Sequence, residues 1–137
     1  MKLNPYLNFN GNCEEAFQFY SKVLNGTDMR VMKFRDSPMG EKMPEAEKDM
    51  VVHARFNAGD TTVMGSDGPG GHYNKPQGYA TNIDVETPEE AERIFAALSE
   101  GGNVGMPIQE TFWAKRFGMV TDRFGTPWMV NCEKPMG

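Results

Sequence analysis

The chain has 137 residues, with 14 Lys and Arg against 19 Asp and Glu and a formal charge of −5, which suits one substantial core and is short for two ordinary domains. Its basic residues form no stripe, so no nucleic-acid partner is expected. No stretch approaches a membrane span and the N-terminus lacks the apolar core of a signal peptide, so no membrane partner is expected and a cytoplasmic protein is the default.

Leu3 to Phe9 reads as a first strand. Asn12-Cys13-Glu14-Glu15 supplies an N-cap with Glu three residues later, the pattern of a capping box. The helix it opens runs to about Leu24, with Ala16, Phe19, Tyr20 and Val23 on its apolar face and Gly26 closing it. Met29 to Phe34 alternates as a second strand. Ser37 to Asp49 is broken and charged, a solvated loop that is either a linker or a cover for a site. Met50 to Asn57 and Thr61 to Gly65 form a hairpin around Ala58-Gly59-Asp60. Ser66 to Gly78, with four glycines and two prolines, is too broken for regular structure.

Tyr79 to Val85 is the next strand. Thr87-Pro88-Glu89-Glu90 opens a second helix with an N-cap Thr, Pro at the first helical position and Glu at the third. Ala91, Ile94, Phe95 and Leu98 recur at helical spacing before Gly101-Gly102. Asn103 to Glu110 leads into a final hairpin, Phe117 to Thr121 and Trp128 to Cys132. Its turn is Asp122 to Pro127, where Gly125 gives the backbone freedom.

The order strand, helix, three strands therefore occurs twice. Asn12 and Thr87 lie 75 residues apart (87 − 12) and Gly59 and Gly125 lie 66 apart (125 − 59). The difference falls where the first half has its long loop, as duplication with an insertion predicts. A helix covers one face of each sheet, so two bare faces are left to curve around a shared cleft.

Two stretches carry a family resemblance. Glu110-Thr-Phe-Trp, Arg116-Phe-Gly and Asp122-x-Phe-Gly-x-x-Trp-Met-Val-Asn resemble the C-terminal signature of the PhnB-like branch of the vicinal oxygen chelate superfamily. That superfamily also holds glyoxalase I, bleomycin-resistance proteins and extradiol dioxygenases. Pro5-Tyr-Leu-Asn-Phe-Asn-Gly-Asn12, with Glu15-Ala16 and Phe19-Tyr20, is similar to the opening of the same branch. The resemblance implies an α+β fold, two βαβββ modules forming a curved mixed sheet around a cleft in a single domain over 1–137. Module 1 would cover about 2–67, the loop 68–78 and module 2 about 79–134. It also implies a homodimer.

Relatives hold a divalent metal on the inner face with His and Glu ligands. Carried over, those positions fall on Pro5 or Asn4, Val63 or Met64, Ala80 and Met129, and none is a His or a carboxylate. The expectation is no metal and no cofactor. The two histidines, His53 in a strand and His72 in the Gly-rich loop, have no periodic partner. Cys13 and Cys132 cannot form a disulfide framework or, unaided, a zinc site. Buried, inert thiols are expected, with a low-pKa Cys13 at a helix N-terminus as the alternative. The segment from Gly65 to Gly71 superficially suggests a phosphate cradle, but a strand follows it, where a dinucleotide or adenosylmethionine loop leads into a helix.

A pocket remains. Strand alternation places Tyr6 and Asn8, Asn82 and Asp84, and Met129 and Asn131 on the inner face, with Trp128 and Val130 toward the helices. His53 and Met64 join them as candidate ligand contacts, and Trp113 and Arg116 are placed at the mouth, to stack on or pair with an anion. The competing reading makes the asparagines satisfy buried backbone groups and leaves Trp113 and Arg116 to surface packing. Three functions follow: a metal-free small-molecule binder, a metal-dependent lyase, isomerase or dioxygenase-like enzyme, and an interaction module with a vestigial cleft.

Overall fold

Strand β1 (Tyr6–Phe9) alternates as its sequence dictates, with Leu7 and Phe9 buried and Tyr6 and Asn8 exposed. In the computed structural model, which describes residues 1–135, it is followed by helix α1 (Cys13–Val23), β2 (Thr27–Lys33), β3 (Val51–Ala58) and β4 (Thr61–Asp67). The same order recurs as β5 (Thr81–Asp84), α2 (Pro88–Ser99), β6 (Asn103–Gln109), β7 (Ala114–Thr121) and β8 (Pro127–Glu133). Two four-stranded mixed sheets result, ordered β1-β4-β3-β2 and β5-β8-β7-β6. The first strand of each runs parallel to the last, and such a pair needs a crossover, which the helix provides. The fold is α+β, with two βαβββ modules. The chain divides into two compact units after Lys75.

In the first unit, α1 packs on the sheet through aromatic edges. Phe17 meets Phe9 at 5.9 Å and Phe56 at 5.5 Å, both edge-on, a geometry worth roughly 0.5–1.5 kcal/mol per pair beyond burial. Phe17 rather than Phe19 thus completes the buried face, alongside Cys13, Ala16, Tyr20 and Val23. The helix is also capped differently from its local pattern. The Asn12 side chain makes no cap bond, and the buried Asp67 carboxylate of β4 instead accepts from the N–H groups of Gly11 at 2.8 Å and Cys13 at 3.1 Å. At its far end Asn25, not Gly26, takes the left-handed conformation (φ 53°).

In the second unit the local signals suffice. Thr87 Oγ1 accepts from the Glu90 N–H at 3.2 Å, Pro88 takes the first turn, and Ala91, Ile94, Phe95 and Leu98 are buried. Phe95 lies so close over β7 that a Cβ at Gly118 would sit 2.5 Å from its ring. The β7–β8 turn is built on Asp122, whose Oδ1 accepts from the N–H of Phe124 and Thr126 and whose Oδ2 accepts from Trp128 Nε1 at 2.7 Å. Gly125 supplies the positive φ of 90° there.

β6 supplies a strand that the duplicated order requires, and β4 runs further than expected. Residues 103–109 form β6 although they contain Gly105 and Pro107, because β6 is an edge strand that can lack a donor. Ser66 and Asp67 belong to β4, paired with Asn8 and Phe9 of β1. The segment between β2 and β3 carries three short 3-10 turns, Phe34–Asp36, Pro38–Gly40 and Glu45–Glu47. Arg35 ties it together, with contacts of 3.0 Å to both Asp49 and Glu45.

Candidate functional site

Each sheet has one face against its helix and one without a helix, here called the open face. In the second unit the parallel register sets Asn82 beside Met129 and Asp84 beside Asn131, and the antiparallel register adds Met119 beside Met129 and Phe117 beside Asn131. Trp128 and Val130, 1% and 0% exposed, point to α2 as alternation requires.

Asn131 is the hub of this face. Its Oδ1 accepts from Trp113 Nε1 at 3.2 Å and its Nδ2 donates to Asp84 Oδ1 at 2.9 Å. The amide therefore satisfies two side chains rather than buried backbone groups. Trp113 is held by a tight turn, in which Thr111 N–H donates to Ala114 O and Ala114 N–H to Thr111 Oγ1, both at 3.0 Å. Its ring packs edge-on against Phe117 at 5.2 Å and stays 41% exposed. Nearby in the same unit, a hollow of about 410 Å³ is bounded mainly by apolar groups, among them Tyr79, Ala80, Met119, Pro127 and Met129.

Arg116 does not join this group. It pairs across strands with the buried Cys132, and its Nε donates to Glu92 of α2 at 2.9 Å. It is one residue out of phase with Phe117, so the structure places it on the helix side of β7.

The first unit's open face carries Tyr6 and Asn8 of β1, opposite Met64 and Ser66 of β4. His53 joins them, its ring 6.1 Å from that of Tyr6. Two arginines absent from the sequence-derived set share this face. Arg55 of β3 pairs with Met64 on one side and Arg30 on the other. Alternation from His53 along the same strand is the signal that marks Arg55. His72 is exposed in the connecting segment.

The donor set does not fit the divalent metal of related enzymes. Met64 and Met129 lie on open faces, Val63 is buried on the other side, and Asn4 Oδ1 is engaged by the Thr62 N–H at 3.3 Å. Among the described residues no group of three or more His, Cys, Asp or Glu converges as a cation site. Cys13 is fully buried, and that burial, followed by the charges of Asp67 and Glu14, pushes its thiol well above the usual range. It is not an activated nucleophile. Among the described residues no helix is long and apolar enough to cross a membrane.

Two βαβββ modules with these open faces define the vicinal oxygen chelate fold. The fosfomycin resistance protein FosX from Listeria monocytogenes shares it at a TM-score of 0.65 and 10% identity over 98% of this chain and 94% of its own, a likeness of fold alone. The chain belongs to the PhnB-like family described as 3-demethylubiquinone-9 3-methyltransferase, which matches residues 1–131. Protein YjdN of Escherichia coli (strain K12) is 34% identical over 145 residues, 98% of this chain and 97% of that protein. Among solved structures, PA1353 from Pseudomonas aeruginosa is 47% identical with a TM-score of 0.88, covering 98% of this chain and 99% of that one. The PhnB protein from Bacillus cereus is 25% identical with a TM-score of 0.72, covering 96% and 99%.

Proposed function

We propose that the chain binds a small organic molecule on its open sheet faces without a metal centre. The observation that carries this reading is the Trp113–Asn131–Asp84 network beside the apolar hollow of the second unit. A volume of about 410 Å³ falls in the size range of small-ligand sites. Such sites combine an apolar lining with a few oriented polar groups, and here the exposed Asn82 pairs in register with Met129 of the lining, with Asp84 exposed two residues further along β5. Trp113, with its indole N–H already committed to Asn131, offers a ring face for stacking.

This proposal does not carry over the methyltransferase of the family description. The segment after β4 runs through Pro76 and Gly78 into β5, where a dinucleotide or adenosylmethionine loop would lead into a helix.

The test is a metabolite panel read by melting temperature in the presence of a chelator. The expected result is at least one compound that raises the melting temperature with chelator present. Asp84→Ala, at an exposed position, should weaken that compound's binding about tenfold, as expected for one lost hydrogen bond to a charged group. A panel in which every response vanishes with chelator would overturn the proposal.

A further inference from the structure

The open face of the first unit holds an arrangement of charge that the described residues leave incomplete. Tyr6, Met64, Arg55 and Arg30 form one row across β1, β4, β3 and β2. Like charges directly opposed on neighbouring strands destabilise a sheet, so the Arg30–Arg55 pair calls for compensation. Arg30 has it, with Nε 3.2 Å from the carboxylate of Asp28. Arg55 does not. Its Nε is buried with no hydrogen-bond partner, and among the described residues its guanidinium makes no ion pair. A buried donor on a charged group without an acceptor is costly, and native proteins rarely keep one unless something else fills the role.

Arg55 also lines a hollow of about 360 Å³ with Lys2, Asn57, Asp60, Thr61 and Thr62. Thr62 Oγ1 donates to Asn57 Oδ1 at 3.1 Å, which occupies the amide oxygen and leaves the amide N–H groups as donors. The hollow therefore presents a guanidinium, an ammonium, an amide N–H pair and the Thr61 hydroxyl against one carboxylate, Asp60. Two cations and one anion leave a single net positive charge.

We infer that this hollow is a site for a small monoanionic oxyanion, a carboxylate or a phosphate-type group, with Arg55 as its anchor. A planar guanidinium presents parallel donors that match two oxygens of such a group, which a lysine ammonium cannot reproduce. Asp60 opposes a second negative charge. The site goes beyond the ligand reading above, whose network and apolar hollow lie in the second unit, because it uses residues of the first.

The experiment measures melting temperature of the full chain in sodium phosphate and in sodium acetate, each against sodium chloride at equal ionic strength. A saturable stabilisation by phosphate, acetate or both is expected, and the two arms separate a phosphate-type ligand from a carboxylate. Arg55→Met should weaken the effective salt at least about tenfold while melting no lower than wild type in chloride, since it removes an unpaired charge. Arg55→Lys should retain a weaker response. Asp84→Ala should leave the response intact, which separates this site from that of the second unit. A second readout needs no variant: the Arg55 Nε–H resonance of the wild-type protein should shift on titration with the same salts. The inference is overturned if neither salt acts beyond chloride, if Arg55→Met responds like wild type, or if the Nε–H resonance does not move.

Discussion

Asp67 shows how much a single carboxylate organises. Its Oδ1 accepts from the N–H groups of Gly11 and Cys13, and its Oδ2 from Val51 at 2.8 Å, so one side chain joins the start of α1 to the start of β3. Removing it leaves up to three backbone donors without an acceptor in a buried setting, each worth roughly 1–3 kcal/mol. Asp67→Ala is expected to lower unfolding stability by about 3–5 kcal/mol, read from the urea midpoint. Asp67→Asn should cost less, since an amide oxygen still serves one side. A loss below about 1 kcal/mol for the alanine variant would contradict this role. The residue was not legible as a cap. Asn12 and Glu15 have the local capping spacing, whereas the group that performs the task comes 54 residues after Cys13. Asn131 was legible by alternation alone, while its two partners, Trp113 and Asp84, lie 18 and 47 residues away along the chain. Arg116 was misplaced because Trp113 and Arg116 sit close in sequence yet on opposite sides of β7.

The segment between β2 and β3 is held by one arginine. Arg35 hydrogen-bonds and attracts the carboxylates of Asp49 and Glu45, which holds both below the usual carboxylate range. A carboxylate with a depressed folded pKa contributes fully above its unfolded value, and the contribution is lost as pH falls through the folded one. Proteolytic cleavage between residues 36 and 49 should therefore be steady between about pH 6 and 8 and should rise in acid, below about pH 4. Arg35→Gln should remove most of that acid dependence. A rise in cleavage between about pH 6 and 8 would instead point to another titrating group. The elements themselves were largely readable, because helical and alternating periodicities are local. The edge strand at 103–109 followed from the duplicated order and not from its local pattern, which Gly105 and Pro107 interrupt, and a parallel partner extends β4 to Asp67. Ala16, Tyr20 and Val23 fit an apolar stripe flanked by either Phe17 or Phe19, and only the rings of Phe9 and Phe56 decide between them.

At the scale of the whole molecule, duplication supplies the logic. Each module lends its helix to one sheet face and leaves the other open, and parallel pairing brings the first strand of each module beside its last. Equivalent positions follow: Tyr6 faces Met64 in one unit as Asn82 faces Met129 in the other. The positions that the resemblance assigns to metal ligands are Pro5 or Asn4, Val63 or Met64, Ala80 and Met129. None is an imidazole or a carboxylate, and the methionine thioethers among them are soft ligands, poorly matched to hard or borderline cations. The methionines also serve as reporters. A methyl spectrum of methionine-labelled protein, recorded with one equivalent of Mn²⁺ and then with a compound that raises the melting temperature, reads both outcomes at once. The expected result is that Met64 and Met129 stay sharp with Mn²⁺ while Met119 and Met129 shift with the compound. Stoichiometric broadening of the Met64 or Met129 methyl by Mn²⁺ would contradict a metal-free binding face.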